Sequence, residues 1–182
     1  MTVNSLLDKL VKDNCMHNPA EILTRMHREI GAALHQQVEH TQQDGIDIAM
    51  VKIDKSAKEF CFSGAGLHLL HYNSSTQQVI QTKGDKFGLG GLKWHSELAF
   101  CAHTIAYDEP NRIYLYTDGI IDQPSAIIPK TKRMGSPAWL GYVTELAELP
   151  FEEQQESCNR FITDLLTIHE QRDDITIIGL EL

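Results

Sequence analysis

The chain has 182 residues, of which 42% are hydrophobic, so it is long enough and apolar enough to bury a sizeable core. Its 16 basic and 25 acidic residues give a net charge of −9, which disfavours nucleic acid or an anionic membrane as the main partner, because both attract cationic surfaces. We therefore expect one domain, covering residues 1–182, whose partner is a small ligand or a protein.

The cysteines and the N-terminal residues indicate the cellular compartment in which the protein is expected. The four cysteines are far apart and form no C-x-x-C pair, which argues against both a disulfide framework and a zinc site; they are Cys15, Cys61, Cys101 and Cys158. Reduced, buried thiols are expected instead. No apolar run approaches the ~20 residues that span a bilayer, and no basic and apolar leader opens the chain. These features predict a soluble, cytoplasmic protein without membrane contact.

The first half of the chain changes from a helical to a strand pattern. Apolar residues at helical spacing predict helices over 2–12 and 19–34. Three short apolar runs follow, at 47–53, 59–62 and 67–72, and their succession is typical of an antiparallel meander.

The second half adds more strands and then two helices. The predicted elements are a glycine-rich loop over 82–92, strands over 97–106 and 113–117, a loop over 124–136, helices over 139–149 and 151–168, and a last strand over 175–182. Strands and helices are grouped in this order rather than strictly alternating. The sequence therefore predicts a layered α+β domain rather than an alternating parallel-sheet fold.

Acidic residues stand where two of the predicted strands end or begin. Asp118 and Gly119 follow the strand 113–117, and Asp173 and Asp174 precede the last strand. If these strands pair antiparallel, Asp118 and Asp173 meet at one rim of the sheet, where two carboxylates suit a hard divalent cation. Taken singly, each pattern also fits a simpler structure, since Asp-Gly is a common turn and paired acids are often solvated. A turn or capping role is likewise expected for Asp47.

Other candidate sites have less support. The basic cluster of Lys130, Lys132 and Arg133 can attract a phosphorylated partner, although a solvated loop is the commoner meaning of such a cluster. No serine or cysteine stands in a nucleophile elbow, so covalent catalysis is not indicated.

Five short motifs, taken in order, resemble one known family. They are Asp-Gly-Ile-Asp-Ile-Ala at 44–49, Phe-Ser-Gly-Ala-Gly at 62–66, Phe-Gly-Leu-Gly-Gly at 87–91, Tyr-Leu-Tyr-Thr-Asp-Gly-Ile-Ile-Asp-Gln at 114–123, and Arg-Asp-Asp-Ile-Thr at 172–176. The set resembles the PPM (protein phosphatase 2C) superfamily in its bacterial SpoIIE-like branch. The resemblance implies a layered α-β-β-α sandwich.

The resemblance also implies an activity and a site. Members are protein serine/threonine phosphatases in which two Mn²⁺ or Mg²⁺ ions activate a water that attacks phosphorus without a phosphoenzyme. By motif position, Asp118 and Asp173 match two metal ligands, with Gly119, Asp174 and Asp47 as supporting candidates, and no catalytic side chain is implied beyond the ligands. The implied substrates are phosphorylated bacterial regulators of the anti-sigma-factor-antagonist (STAS) type, which can meet the basic cluster.

One departure from the family pattern leaves alternatives open. Members carry an Asp-x-x-Gly-His-Gly segment with a metal-bridging aspartate, and residues 1–7 resemble the helix that follows it, so an N-terminally incomplete domain is expected. Without that segment, the rival reading is a catalytically silent interaction module in a signalling pathway. A third reading is a domain completed by another chain, or a homodimer, that covers an open sheet edge.

Overall fold

The computed structural model describes residues 3–13, 15–35, 45–91, 97–108, 110–124 and 133–182. The described helices are α1 Val3–Asp8, α2 Pro19–His35, α3 Asp118–Asp122, α4 Gly135–Glu148 and α5 Phe151–Ile168. The described strands are β1 Gly45–Ile46, β2 Ile48–Asp54, β3 Glu59–Ala65, β4 Leu69–Asn73, β5 Gln78–Thr82, β6 Leu89–Gly90, β7 His103–Ala106, β8 Asn111–Tyr116 and β9 Ile177–Glu181. The chain forms two compact units, Met1–His68 with Lys83–Tyr107 and Leu69–Thr82 with Asp108–Leu182.

The first unit contains both helices predicted near the N-terminus. Helix α1 continues into one turn of π-helix over Lys9–Asp13. Helix α2 begins at Pro19, where the missing N–H costs nothing, and the Asn18 side chain caps it by accepting a hydrogen bond of 2.9 Å from the Ala20 N–H. The apolar face of α2 packs against β3 and β6. Its core residues include Leu23 and Met26, both fully buried.

The strands of the first unit form two small sheets. In the larger sheet, β3 lies between β2 and β7 and pairs antiparallel with both. In the smaller, β1 pairs with β6. Strand β3 begins by alternating partly exposed Glu59 and Cys61 with buried Phe60 and Phe62, the period of two that places one face of a sheet on a core.

The second unit is built on a four-stranded antiparallel sheet with the order β5-β4-β8-β9. Helix α4 packs against β4 and β5, and also against α3 and α5. Trp139 of α4 is fully buried, with its ring 5.6 Å from that of Tyr116 and 5.5 Å from that of Tyr142. Aromatic packing therefore fixes α4 on the sheet whose strands carry the acidic residues.

Several expectations from the sequence are wrong in detail. The third strand of the expected meander, β4, pairs with β5 and β8 rather than with β3, so the three strands do not form one sheet. The strand expected over 97–106 is confined to His103–Ala106, and the loop expected over 82–92 contains β6. Periodicity shows that a segment is extended, but the partner of a strand is set by contacts remote in sequence.

The cysteines and the helices complete the description. The four cysteines are unpaired, as expected, but Cys15 and Cys101 are exposed and the others only partly buried, so the expectation of buried thiols is wrong. In the parts of the chain that the structure describes, none of the helices combines the length and apolar character that a membrane span requires.

Candidate metal centre at the acidic end of β8 and β9

Strands β8 and β9 pair antiparallel, the arrangement under which Asp118 and Asp173 are expected at one rim of the sheet. The last pair in register is Tyr116 with Ile177, and the Thr117 N–H continues the ladder by donating to the Thr176 carbonyl at 3.0 Å. The chain segments that carry Asp118 and Asp173 therefore leave the sheet side by side. We call this end of the pair, with Asp118, Asp173 and Asp174, the acidic end.

A close backbone contact joins the two segments at the acidic end. A Cβ atom added at Gly119 would collide with the Asp174 carbonyl oxygen and lie 2.9 Å from its carbon and 3.3 Å from the carbonyl carbon of Asp173. Such distances are shorter than real Cβ atoms tolerate, so glycine is required for this approach. Gly119 thus supports the acidic end by letting the residue after Asp118 touch the backbone of Asp173 and Asp174.

The acidic end is exposed, and its charges have no cationic partner among the described residues. Asp118, Asp173 and Asp174 are all exposed, and the described ion pairs include none of the three. Asp173 accepts a hydrogen bond of 2.7 Å from the N–H of Asp174. Like charges concentrated in this way repel one another, and a bound cation is one means of offsetting that repulsion.

The donors at the acidic end fit a divalent cation in kind. Carboxylate oxygens are the ligands that Mg²⁺ and Mn²⁺ prefer in proteins. In number they are only part of a site, because the described residues contain no group of three or more potential ligands that could hold a metal ion. Asp118 and Asp173 would thus supply some of the ligands of such a site.

Two polar side chains that the sequence did not single out hold the acidic end together. Thr117 and Gln123 flank helix α3, and both form hydrogen bonds with the backbone that leads into and out of Asp173. Thr117 stands at the N-cap of α3 but makes no side-chain capping bond, because its hydroxyl bonds instead to the backbone of Asp174 and Thr176, in the segment that precedes β9. In the sequence, Thr117 directly precedes the Asp-Gly pair and Gln123 follows it within the same 114–123 motif, but neither position shows what the side chain bonds to.

The tyrosine that precedes Thr117 marks the inner limit of the site. Tyr116 is 5% exposed, and burial raises the pKa of its phenol even though the hydroxyl accepts a hydrogen bond of 3.2 Å from the Gln81 side chain. The hydroxyl is therefore neutral near pH 7. Charge at this end of the strands begins only at Asp118.

The remaining predicted site residues lie elsewhere or have other partners. Asp47 belongs to the first unit, where its carboxylate occupies the space that a side chain at Gly66 would need. Arg133 forms an exposed ion pair of 2.7 Å with Asp122, the last residue of α3. Lys130 and Lys132 are outside the described residues.

Comparison with known proteins identifies the fold. The chain is similar to the SiaA-PP2C domain of Pseudomonas aeruginosa, with 24% identity and a TM-score of 0.74 over 98% of this chain and 65% of that one. It is also similar to the structure of the PP2C phosphatase domain and a fragment of the regulatory domain of SpoIIE from Bacillus subtilis, with 12% identity and a TM-score of 0.68 over 98% of this chain and 48% of that one.

A third similar structure contains metal ions. It is the catalytic domain of the serine threonine protein phosphatase PstP in complex with 2 manganese ions, with 14% identity and a TM-score of 0.62 over 96% of this chain and 78% of that one. The chain thus has the α+β fold of PP2C phosphatase domains, and it spans less than two thirds of the length of the SiaA domain. No curated protein sequence matches it.

A match to a protein-family model identifies the family of the chain. The model described as Stage II sporulation protein E (SpoIIE) matches residues 1–182, the whole of this chain. The match includes both segments of the acidic end, which are remote in sequence and leave the β8 and β9 pair side by side. The chain therefore belongs to the SpoIIE family.

Proposed function

We propose that this chain belongs to a metal-dependent protein serine/threonine phosphatase that hydrolyses phosphoserine or phosphothreonine on a bacterial regulatory protein. The observation that carries the proposal is the pairing of β8 with β9, which brings Asp118 and the segment of Asp173 and Asp174 to one exposed and unneutralised end. Membership of the SpoIIE family and the PP2C fold support the same reaction class.

In this proposal the residues of the acidic end bind and orient the cofactor. Asp118 and Asp173 would hold Mn²⁺ or Mg²⁺, and Gly119 keeps their two segments in contact. A divalent cation supplies charge stabilisation for the phosphoryl oxygens and lowers the pKa of water, so no protein nucleophile and no phosphoenzyme are required. Asp174 is a supporting residue in this proposal: its carbonyl accepts a hydrogen bond from the Thr117 hydroxyl, and its N–H donates one to the Asp173 carboxylate.

The proposed substrate is a small phosphorylated regulator of the anti-sigma-factor-antagonist (STAS) type, acting in the cytoplasm. Arg133 is the member of the predicted basic cluster, with Lys130 and Lys132, that lies among the described residues, and it can meet the phosphate or acidic side chains of this substrate. The ion pair of Arg133 with Asp122 is no obstacle, because exposed pairs contribute only about 0–1 kcal/mol and open readily.

The test is the Asp118→Asn substitution in the full-length protein that contains this chain. It removes one charged ligand without changing the shape of the side chain, so Mn²⁺-dependent release of phosphate from a phosphoserine peptide should fall by about 100-fold or more. The control is Asp164→Asn, which neutralises an exposed carboxylate in α5. Undiminished activity in Asp118→Asn would remove Asp118 from the site and contradict the proposal.

A second candidate function is a catalytically silent interaction module. The observation that favours it is the absence, among the described residues, of any cluster of three potential metal ligands. The two functions make different predictions for calorimetric titration of the chain with Mn²⁺ alongside a phosphatase assay. A phosphatase should bind Mn²⁺ and release phosphate, whereas a silent module should retain its fold and do neither.

A further inference from the structure

The segment 170–176, which contains Asp173 and Asp174, is fixed at both ends by side chains that flank Asp118 in the sequence. On one side, the Gln123 amide donates to the Glu170 carbonyl at 3.0 Å and accepts from the Arg172 N–H at 3.3 Å. The side chain of Gln123 therefore satisfies one backbone acceptor and one backbone donor, as a neighbouring strand would do.

On the other side, Thr117 makes an equivalent pair of bonds. Its hydroxyl donates to the Asp174 carbonyl at 2.9 Å and accepts from the Thr176 N–H at 2.9 Å. Together the two side chains bond to every second residue from 170 to 176. Asp173 lies between the two attachments, so its backbone is held from both directions.

Gln123 has properties that an incidental surface contact lacks. It is fully buried, and its own carbonyl accepts a hydrogen bond of 2.9 Å from the Met134 N–H, so both its backbone and its side chain are committed. A buried amide left without partners costs about 1–3 kcal/mol, which ties the conformation of segment 170–176 to that of α3. Helix α3 begins at Asp118.

We propose that Thr117 and Gln123 are positioning residues that set the placement of Asp173 relative to Asp118 for divalent cation binding. The inference rests on the proposed function, and it assigns a role to two residues that bind no cation themselves. Groups that orient metal ligands change metal affinity by about 10–100-fold when they are substituted, because the ligands must otherwise be ordered at the moment of binding.

The test uses substitutions that keep the shape and remove the hydrogen bonds. Gln123→Met and Thr117→Val each lose both side-chain hydrogen bonds. Thr117→Ser keeps the hydroxyl and should therefore retain the affinity of the wild type for Mn²⁺. The matched control is Gln154→Met, because Gln154 is also buried and also bonds on two sides, to Tyr114 and Leu149, away from the acidic residues.

Two measurements are made on the full 182-residue chain. Calorimetric titration with Mn²⁺ should show affinity about tenfold weaker for Gln123→Met and Thr117→Val, with wild-type affinity for Thr117→Ser and Gln154→Met. Amide hydrogen exchange in metal-free protein should be faster at Arg172 in Gln123→Met and at Thr176 in Thr117→Val, because these amides lose their acceptors.

The outcomes separate this inference from the proposed function. If the wild-type chain binds Mn²⁺ and both variants bind it equally well, the positioning role is wrong even though the metal site stands. If the wild-type chain binds no Mn²⁺, the proposed function fails, and hydrogen exchange alone decides whether the two side chains order the segment. Exchange that is unchanged in both variants would overturn the inference in either case.

Discussion

The two ends of the β8 and β9 pair carry charge in opposite ways. At the end opposite to the acidic end, Arg112 of β8 lies across from Glu181 of β9 and pairs with it at 2.8 Å. The Arg112 guanidinium also donates to the carbonyls of Ala147 and Leu149, at the C-terminus of α4, and lies over the Phe151 ring. We call this end the Arg112 end; its charges are matched, and the Arg112 side chain is only 14% exposed.

The acidic end has like charges, full exposure and, within the described residues, no counter-charge. A structural ion pair is built from both signs and shares hydrogen bonds with backbone carbonyls, as at the Arg112 end, where the arginine is largely buried and the glutamate remains exposed. The contrast teaches that one strand pair can carry a structural ion pair at one end and leave exposed carboxylates, the ligands proposed for a divalent cation, at the other.

The largest expected effect on stability comes from removing the side chain at the Arg112 end. Arg112→Ala leaves two carbonyls at the end of α4 without their donor and removes a side chain that packs on aromatic rings, so the free energy of unfolding should fall by about 3 kcal/mol. Urea denaturation of the 182-residue chain measures it.

An exposed arginine provides the control for that experiment. Arg160 pairs with Glu156 within α5, but both side chains are more than 70% exposed. Arg160→Ala should therefore change the free energy of unfolding by no more than a few tenths of a kcal/mol. If the two substitutions had equal effects, the Arg112 end would be no more structural than the surface of a helix.

The second prediction concerns the close contact at the acidic end. Gly119→Ala introduces a Cβ that collides with the backbone of Asp174, so the two acidic segments must separate, at an expected cost of about 1–3 kcal/mol. The affinity for Mn²⁺ should also fall, because the two acidic segments are farther apart. Thermal unfolding and calorimetric titration measure the two effects.

A glycine with open space around it gives the opposite expectation. Gly141 lies within α4, and a Cβ added there would meet nothing within 4 Å. Gly141→Ala should stabilise the protein by about 0.5–1 kcal/mol, because alanine is the better helix former. A stabilising effect of Gly119→Ala would show that the acidic segments do not need their close approach.

The sequence is enough to expect Asp118 and Asp173 at the same end of a strand pair, but it does not show which side chains hold their two segments together. Asp118 and Asp173 could be paired in advance because an acid at a strand terminus and an acid at a strand start are both local signals, and antiparallel pairing is a simple rule for joining them. The roles of Thr117 and Gln123 could not be predicted, since a polar residue shows its hydrogen-bond partners only after segments about 50 residues apart come together.

The sheets illustrate the same limit. The extended segments around β3 and β4 were located from local periodicity, yet their successive positions suggested a single meander. The structure separates them, because β4 pairs with β5 and β8 in the second unit. Strand existence follows from local pattern, but strand partners follow from which apolar faces pack together, which is a property of the whole chain.

The smallest expected effect is on how the free energy of unfolding depends on pH, and it comes from a histidine near the Arg112 end. His71 lies in β4 opposite Ile113, is 6% exposed, and has a pKa lowered from the usual 6.5 by burial. The unfolded chain therefore takes up a proton at this residue before the folded chain does. Stability is fully present above pH 6.5 and falls as the pH is lowered below it.

The His71→Gln substitution isolates this contribution. The variant should lose less stability than the wild type between pH 7 and pH 5, whatever its absolute stability, because the uptake of one proton on unfolding is gone. The control is His169→Gln, which replaces an exposed histidine outside β4. Urea midpoints measured across this range compare the three proteins. An unchanged slope in His71→Gln would show that His71 does not contribute to the pH dependence and would contradict the prediction.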